Sequence, residues 1–255
     1  MYIFKVVLLA IEQGITELLP ISSSAHLIVT GEIINIPTDT YLLAVLHLGT
    51  TIAIVIYFIP TLVKDLLKKD SIPFYTKILV ASIPAAISGL LLESVIENVL
   101  RGNIYMALSL ILWGIVMIVV EGKYKDIEEN HLRSISWKQS LIMGFSQVIA
   151  LIPGTSRSGV TTVAGVLSGV NKYSALQYSF LLGIPILLGT SMFGILKYAP
   201  TEGFNYTHII AIIISAIFGY IALRILDRIK KKNWLTFFGY YRIVLGIALI
   251  LFTIF

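Results

Sequence analysis

The sequence contains no cysteine, and only 13% of its 255 residues are charged. The absence of thiols excludes disulfide bonds, thiolate-bound zinc and any cysteine–phosphate intermediate. Soluble domains carry roughly 25% charged residues, so the low charge excludes an ordinary soluble domain. It also excludes coiled coils and nucleic-acid-binding proteins, which depend on charged heptads or basic surfaces. With 57% hydrophobic residues and a mean hydropathy of +0.90, the sequence predicts an integral membrane protein.

Six apolar runs have the length of about 20 residues that a membrane-spanning helix needs. They cover residues 41–63, 77–96, 104–121, 174–197, 207–227 and 235–255. Four shorter apolar segments form two pairs, and a Pro- and Ser-containing break divides each pair: 3–19 with 24–36, and 138–152 with 159–170. Broken backbone is tolerated in a membrane only where protein or water shields it, so each pair is interpreted as a re-entrant hairpin. The predicted fold is an all-α integral membrane protein with six transmembrane helices plus two re-entrant helical hairpins.

The two breaks are similar in sequence. LLPISSSAH, residues 18–26, aligns without a gap with LIPGTSRSG, residues 151–159, so that Pro20 falls on Pro153 at an offset of 133. Three long apolar runs follow each break. The pattern predicts two repeats of one hairpin plus three spans, residues 1–121 and 134–255, joined by a cytoplasmic connection at 122–133. A unit that crosses the membrane an odd number of times gives an inverted-topology repeat.

The distribution of Lys and Arg favours one orientation, because basic residues collect in cytoplasmic loops. Of the 19 Lys and Arg residues, 14 fall in loops on one side, whereas Lys5, Arg101 and Lys197 fall on the other. Both termini are therefore predicted to lie outside the cell membrane. Arg157 and Arg242 belong to neither set of loops, and Arg242 is expected to extend from the last span towards the cytoplasmic face.

Ionisable residues inside a membrane cost about 2.5–3.5 kcal/mol each, so those in the hairpins indicate a functional site. Gln13 and Glu17 are four residues apart and share one helix face. The tips of the two hairpins add further polar residues and one glycine: Ser22, Ser23, Ser24, His26, Gly154, Thr155, Ser156, Arg157, Ser158 and Thr161. Hairpins that enter from opposite sides are predicted to bring these residues together near the membrane midplane.

Each break precedes the start of a second half-helix, where the first main-chain N–H groups lack intrahelical acceptors. Such helix N-termini attract anions, and an arginine adds a fork-shaped donor for phosphate oxygens. Two converging N-termini with Arg157 and several hydroxyl groups therefore predict a diphosphate-binding site. The alternative is structural: the Ser and Thr residues cap the half-helices, and Arg157 neutralises Glu17.

Phosphate binding alone does not separate a hydrolase from a transporter. Glu17 and His26 favour a hydrolase, because a carboxylate or an imidazole can activate a serine hydroxyl or a water. A transporter or flippase for lipid phosphates stays the main alternative, since inverted repeats with broken helices are a transporter architecture. An anion channel is a weaker alternative, and Glu17 argues against it. His47, one turn inside the first long span, could line the site, but a lone histidine in a helix is more often a packing residue, and this interpretation is preferred.

QGITELLPISSSAHL, residues 13–27, and LIPGTSRSGVTT, residues 151–162, resemble the two signature regions of the undecaprenyl-diphosphatase family of the bacitracin-resistance type. The likeness extends to the apolar runs after each motif and covers nearly the whole chain. It implies hydrolysis of a polyprenyl diphosphate to the monophosphate and phosphate, which recycles a lipid carrier, usually with a divalent cation such as Mg or Ca. No organic cofactor and no nucleic-acid partner are expected, and association as a homodimer stays open.

The resemblance and the residues at the two breaks together assign roles to individual residues. The predicted catalytic residues are Glu17, Ser23, His26 and Arg157, with Ser23 preferred over His26 as the nucleophile. The residues predicted to bind substrate are Gln13, Ser22, Ser24, Gly154, Thr155, Ser156, Ser158 and Thr161. Gln13 stands where some members have Glu, which leaves fewer carboxylates for a metal, so Glu17 is the candidate ligand and the substrate's own oxygens could provide the others.

Overall fold

The computed structural model describes residues 2–66, 71–96, 100–124, 131–199, 203–229 and 233–254. Within these ranges the regular secondary structure is helical, without β-strands. The α-helices are α1 Tyr2–Leu18, α2 Ser23–Ile33, α3 Thr40–Leu66, α4 Ile72–Leu91, α5 Glu93–Val95, α6 Asn103–Lys123, α7 Trp137–Ile149, α8 Arg157–Leu167, α9 Lys172–Lys197, α10 Tyr206–Ile229 and α11 Trp234–Ile254.

Six of these helices are long and apolar enough to cross a membrane: α3, α4, α6, α9, α10 and α11. This confirms the predicted all-α membrane fold with six spans. The surface of α4 illustrates why it suits a bilayer. Leu79, Ile83, Ile87 and Leu90 recur every three or four residues, and each is at least 50% exposed. A continuous apolar stripe of this kind is expected to face lipid tails.

The predicted boundaries of the second span are wrong by about one turn. The sequence predicts this span at 77–96, whereas α4 begins at Ile72, with Pro73 in its first turn. Lys77, one of the basic residues assigned to loops, is buried within α4, and its ammonium group donates a hydrogen bond to the carbonyl oxygen of Ile135. Because the protein itself satisfies this charge, Lys77 does not mark the end of the span.

The four helices of the predicted hairpins are too short to cross a hydrocarbon core of about 30 Å. α1, α2, α7 and α8 have 17, 11, 13 and 11 residues, which correspond to lengths of about 16–25 Å. α1 packs against α2, and α7 packs against α8. These are the lengths and contacts that two helical hairpins require, and re-entrant insertion stays a prediction.

α2 and α8 have the same local structure. The residues that precede them, Ser22 and Ser156, have positive φ angles of 74° and 69°. Each helix has 11 residues, and the turn after each is closed by a hydrogen bond to a glycine carbonyl, that of Gly31 or Gly165. These pairs lie 134 positions apart. The sequence alignment gave 133, because the second break has one more residue between its proline and the helix start.

The packing of the long helices repeats in the same way. α1 packs against α10, and its counterpart α7 packs against α4, the counterpart of α10. The equivalent helices α3 and α9 contact each other, as do α6 and α11. Equivalent helices of the two halves therefore make equivalent contacts, while the opposite insertion of the two halves in the membrane stays a prediction.

Part of the predicted connection and several basic residues lie outside the described residues: 125–130, which includes Lys125, and Lys68, Lys69, Lys230, Lys231 and Lys232.

Arg242 of α11 is fully buried and connects the two breaks. Its guanidinium donates hydrogen bonds to the carbonyl of Pro20 at 3.2 Å in the first break, and to those of Gly154 at 2.6 Å and Thr155 at 2.8 Å in the second. The expectation that Arg242 extends to the cytoplasmic face is therefore wrong. Interrupted helices leave carbonyl groups without main-chain donors, and the guanidinium supplies donors to them inside the protein.

Replacing Arg242 by methionine leaves these three carbonyl groups without this donor. Each buried, unpaired carbonyl costs about 1–3 kcal/mol, so Arg242→Met is expected to lower the free energy of unfolding by about 3 kcal/mol or more. The measurement is the thermal unfolding midpoint of the purified protein in detergent. Arg228→Met, at an exposed position near the end of α10, is the control and is expected to unfold like the wild type. Equal midpoints for the two variants would contradict the connecting role of Arg242.

Candidate active site

A cavity of about 280 Å³ lies between the two breaks and the long helices α3 and α9. Six of the predicted site residues line this cavity: Glu17, Ser22, Ser23, Ser24, Ser156 and Arg157. Much of the rest of the wall is apolar and includes Ile28, Leu43, Leu151 and Leu187. The cavity thus combines charged and hydroxyl groups with an apolar surface.

Glu17, near the end of α1, is 7% exposed and accepts hydrogen bonds from both hairpins. The hydroxyl of Ser23 donates to Glu17 Oε2 at 2.6 Å, and Arg157 Nη2 donates to Glu17 Oε1 at 3.1 Å. Gln13 Nε2 lies 3.4 Å from Oε2. A carboxylate that accepts the hydrogen bond of a serine hydroxyl can also accept its proton when the oxygen attacks an electrophile. Glu17 and Ser23 therefore have the geometry of a base and a nucleophile.

Arg157 is the first residue of α8, and two acceptors hold its guanidinium in place. Nη1 donates to the carbonyl oxygen of Ser179 in α9 at 2.9 Å, and Nη2 donates to Glu17. The guanidinium lies directly against Gly183, where an added Cβ would be 2.0 Å from Nη1. A glycine at this position of α9 therefore lets Arg157 reach Glu17.

The N-termini of α2 and α8 both face the cavity, because their first residues line it. Ser156 caps α8 by accepting a hydrogen bond from the N–H of Gly159 at 3.2 Å. Ser22 makes no side-chain bond of this kind to α2. The N–H groups of a first helical turn carry the positive end of the helix dipole, and Arg157, which is paired with Glu17, adds a guanidinium donor. This part of the cavity is suited to phosphate oxygens.

The other predicted site residues do not line the cavity. His26 Nδ1 lies 2.7 Å from the carbonyl oxygen of Ser22, and Nε2 lies 2.7 Å from the hydroxyl of Tyr241. A carbonyl only accepts, so Nδ1 carries the proton and Nε2 accepts from Tyr241, which engages both nitrogens of the neutral ring. The remaining residues contact protein groups around the breaks: Gln13, Gly154, Thr155, Ser158 and Thr161.

The cavity is also lined by five polar residues that the sequence did not assign to the site: Thr40, His47, Arg101, Gln147 and Thr190. His47 Nε2 lies 3.4 Å from Glu17 Oε2, and His47 Nδ1 lies 2.7 Å from the carbonyl oxygen of Leu43. The interpretation of His47 as a packing residue does not account for this position. For Arg101 the sequence carries no signal beyond its place in a predicted outer loop.

The cavity offers few ligands for a divalent cation. Among the described residues, no group of three or more His, Asp or Glu side chains could hold a metal ion. Glu17 supplies the one carboxylate in the described lining, and both its oxygens are engaged by protein donors. Mg²⁺ and Ca²⁺ need oxygen ligands that are free to coordinate. The described residues therefore do not fit a cation held by the protein alone.

Together these features define a multi-pass, all-helical membrane protein whose cavity is built from the ends of interrupted helices. The chain belongs to the bacitracin resistance protein BacA family, whose model matches residues 6–248. This confirms the resemblance found in the two signature regions.

Several named proteins are similar to the chain over nearly their full length. The undecaprenyl-diphosphatase of Enterococcus faecalis is 35% identical, over 98% of this chain and 97% of that protein. Undecaprenyl-diphosphatase 2 of Shewanella oneidensis is 38% identical over 97% of each chain. The undecaprenyl-diphosphatase of Methanococcus aeolicus is 35% identical over 99% of each chain.

Gly183→Ala tests whether the position of Arg157 matters for anion binding. The new methyl group would displace the guanidinium, and a hydrogen bond to a charged group contributes about 1.5–3 kcal/mol, so the affinity for inorganic diphosphate is expected to fall about tenfold or more. The measurement is isothermal titration calorimetry. Gly189→Ala, in the same helix but with no atom within 4 Å of the added Cβ, is the matched control. Equal affinities for the two variants would exclude Arg157 as the main anion-binding group.

Proposed function

We propose that the protein is an integral membrane phosphatase that hydrolyses a polyprenyl diphosphate, of the undecaprenyl diphosphate type, to the monophosphate and phosphate. The observation that carries the proposal is the chain of contacts from Ser23 through Glu17 to Arg157, which joins a hydroxyl, a base and a cation in one cavity. The apolar part of the wall suits an isoprenoid chain. The names of the similar proteins support the same substrate.

In the proposed first step, the Ser23 hydroxyl oxygen attacks the terminal phosphorus, and the bond from this phosphorus to the bridging oxygen breaks. The hydroxyl proton moves to Glu17 Oε2 and then to the bridging oxygen of the departing polyprenyl monophosphate. Arg157 and the N–H groups of the first turns of α2 and α8 stabilise the charge on the non-bridging oxygens. The step leaves a phosphoryl group on Ser23.

In the proposed second step, water attacks the phosphoserine and gives a proton to Glu17. The bond between phosphorus and the Ser23 oxygen breaks, inorganic phosphate leaves, and Glu17 returns the proton to the serine. The hydrogen bonds of His26 support Ser23 over His26 as the nucleophile. His26 would have to give up its bond to Tyr241 before Nε2 could attack, whereas the Ser23 hydroxyl already donates to a carboxylate.

A transporter or flippase is not favoured, because the similar proteins are named as diphosphatases.

We propose that the protein lies in the cell membrane with both termini outside and that the cavity opens to the same side. Thr40, Ile96 and Arg101 line the cavity, and all three lie at the helix ends that the distribution of basic residues assigns to the outside. Hydrolysis of short-chain substrate added to intact spheroplasts tests this orientation, and activity only after lysis would contradict it.

We also propose that the divalent cation expected from the family, Mg or Ca, enters bound to the diphosphate oxygens of the substrate. The lack of a free carboxylate in the described lining supports this route, because phosphate oxygens would then provide most of the ligands.

In calorimetry, Mg²⁺ is expected to bind the chelator-treated protein only after a non-hydrolysable farnesyl diphosphonate has been added, because the diphosphonate provides the missing oxygen ligands. The same titration into diphosphonate without protein is the control. Binding of Mg²⁺ to the protein alone with micromolar affinity would instead require a resident metal site.

Purified wild-type protein in detergent is expected to release phosphate from farnesyl diphosphate without any membrane gradient. Glu17→Gln keeps the size of the side chain but removes the base, so kcat is expected to fall by about 10²–10⁴-fold. Glu32→Gln, at an exposed position near the end of α2, is the matched control with unchanged activity. Wild-type turnover by Glu17→Gln would refute the proposed function.

Rapid quenching during turnover in denaturant at neutral to basic pH, which preserves phosphoserine and phosphohistidine alike, followed by mass spectrometry, examines the nucleophile in the same preparation. A phosphoryl group on Ser23 is expected in the wild type, and no covalent intermediate in Ser23→Ala. A phosphoryl group on His26 would contradict the proposed first step.

A further inference from the structure

Gln147, in α7, lines the cavity and is 2% exposed. Neither its Nε2 nor its Oε1 has a hydrogen-bond partner among the described residues, and both atoms are shielded from solvent. A buried amide without partners costs about 1–3 kcal/mol, whereas leucine would fill a similar volume without this penalty. Stability of the free protein therefore does not explain a glutamine at this position.

The internal repeat relates Gln147 to Glu17. Gly14 and Gly144 both lie against the main chain of a neighbouring helix, where an added Cβ would be 2.8 Å from the carbonyl oxygen of Ser215 or 2.1 Å from that of Ala81. Ser215 follows Ala81 by 134 positions, the offset that also relates α8 to α2. Gly14 and Gly144 are thus equivalent.

Three residues after these glycines stand Glu17 and Gln147, in the similar segments GITE and GFSQ. Both residues line the same cavity. Glu17 is engaged by Ser23 and Arg157, whereas its counterpart in the second hairpin has no partner among the described residues. Each hairpin therefore contributes one polar residue to the wall of this cavity, of which Glu17 is paired and Gln147 is unpaired among the described residues.

We propose that Gln147 is a substrate-binding residue whose amide Nε2 donates a hydrogen bond to a phosphoryl oxygen of the diphosphate headgroup. The inference rests on the proposed function and adds a contact that neither signature region contains. The side chain has no hydrogen bond to break, so turning the amide towards a ligand in the cavity costs no existing contact. A neutral amide donor also avoids the repulsion that a second carboxylate would exert on the phosphate and on Glu17.

Gln147→Leu separates this role from a structural one, because the two roles predict opposite changes. Removal of an unpaired buried amide is expected to leave the thermal midpoint unchanged or higher, while the dissociation constant for the farnesyl diphosphonate rises about tenfold or more. Gln139→Leu, in the same helix, is the matched control. Gln139 completes the N-terminal cap of α7, so its loss is expected to lower the midpoint and to leave the dissociation constant unchanged.

Gln147→Glu is the second variant, which keeps the shape of the side chain but replaces the donor by a negative charge. It is expected to weaken diphosphonate binding at least as much as Gln147→Leu. Wild-type affinity in either folded variant would overturn the role of Gln147, while phosphate release by the wild type would leave the proposed function intact. If the wild type neither binds the diphosphonate nor releases phosphate, the proposed function fails and this inference fails with it.

Discussion

An interrupted helix inside a membrane leaves main-chain groups that water cannot satisfy, and the whole arrangement depends on how this protein pairs them. The carbonyl groups of both breaks are paired by Arg242, which binds Pro20 in the first break and Gly154 and Thr155 in the second. The first residues of the helices that follow, Ser23 and Arg157, line the cavity. An interrupted helix thus has two consequences: its unpaired carbonyl groups need an internal cationic donor, and the N-terminus of the helix that follows attracts an anion.

At equivalent positions, the two repeats carry residues of different chemistry. Ser23 and Arg157 are the first residues of α2 and α8, and Glu17 corresponds to Gln147. In the proposed reaction the first hairpin supplies the nucleophile and the base, whereas the second supplies the charge and the amide that hold the phosphate. A symmetric framework therefore surrounds an asymmetric substrate, with each half specialised for one part of the reaction.

The all-helical fold and the six spans were predictable, because the length of an apolar run can be read directly from the sequence. The predicted start of α4 was wrong at Lys77, which was assigned to a loop. Its ammonium group instead donates a hydrogen bond to a carbonyl oxygen inside the protein. The site was predictable where a motif marks it, as for Glu17 and Arg157. His47 and Gln147 were not assigned to the site, because their place in the cavity follows from tertiary packing. The gapless alignment of the two breaks also concealed the equivalence of Gln147 and Glu17, since the second break is longer.

The most direct measurement is an experimental structure of the protein with a bound, non-hydrolysable farnesyl diphosphonate. We expect the diphosphonate to lie between the N-termini of α2 and α8, with its oxygens about 2.7–3.2 Å from the guanidinium of Arg157 and from first-turn N–H groups, and with the terminal phosphorus facing the Ser23 hydroxyl. A headgroup bound elsewhere, with Arg157 still paired only to Glu17 and Ser179, would contradict it.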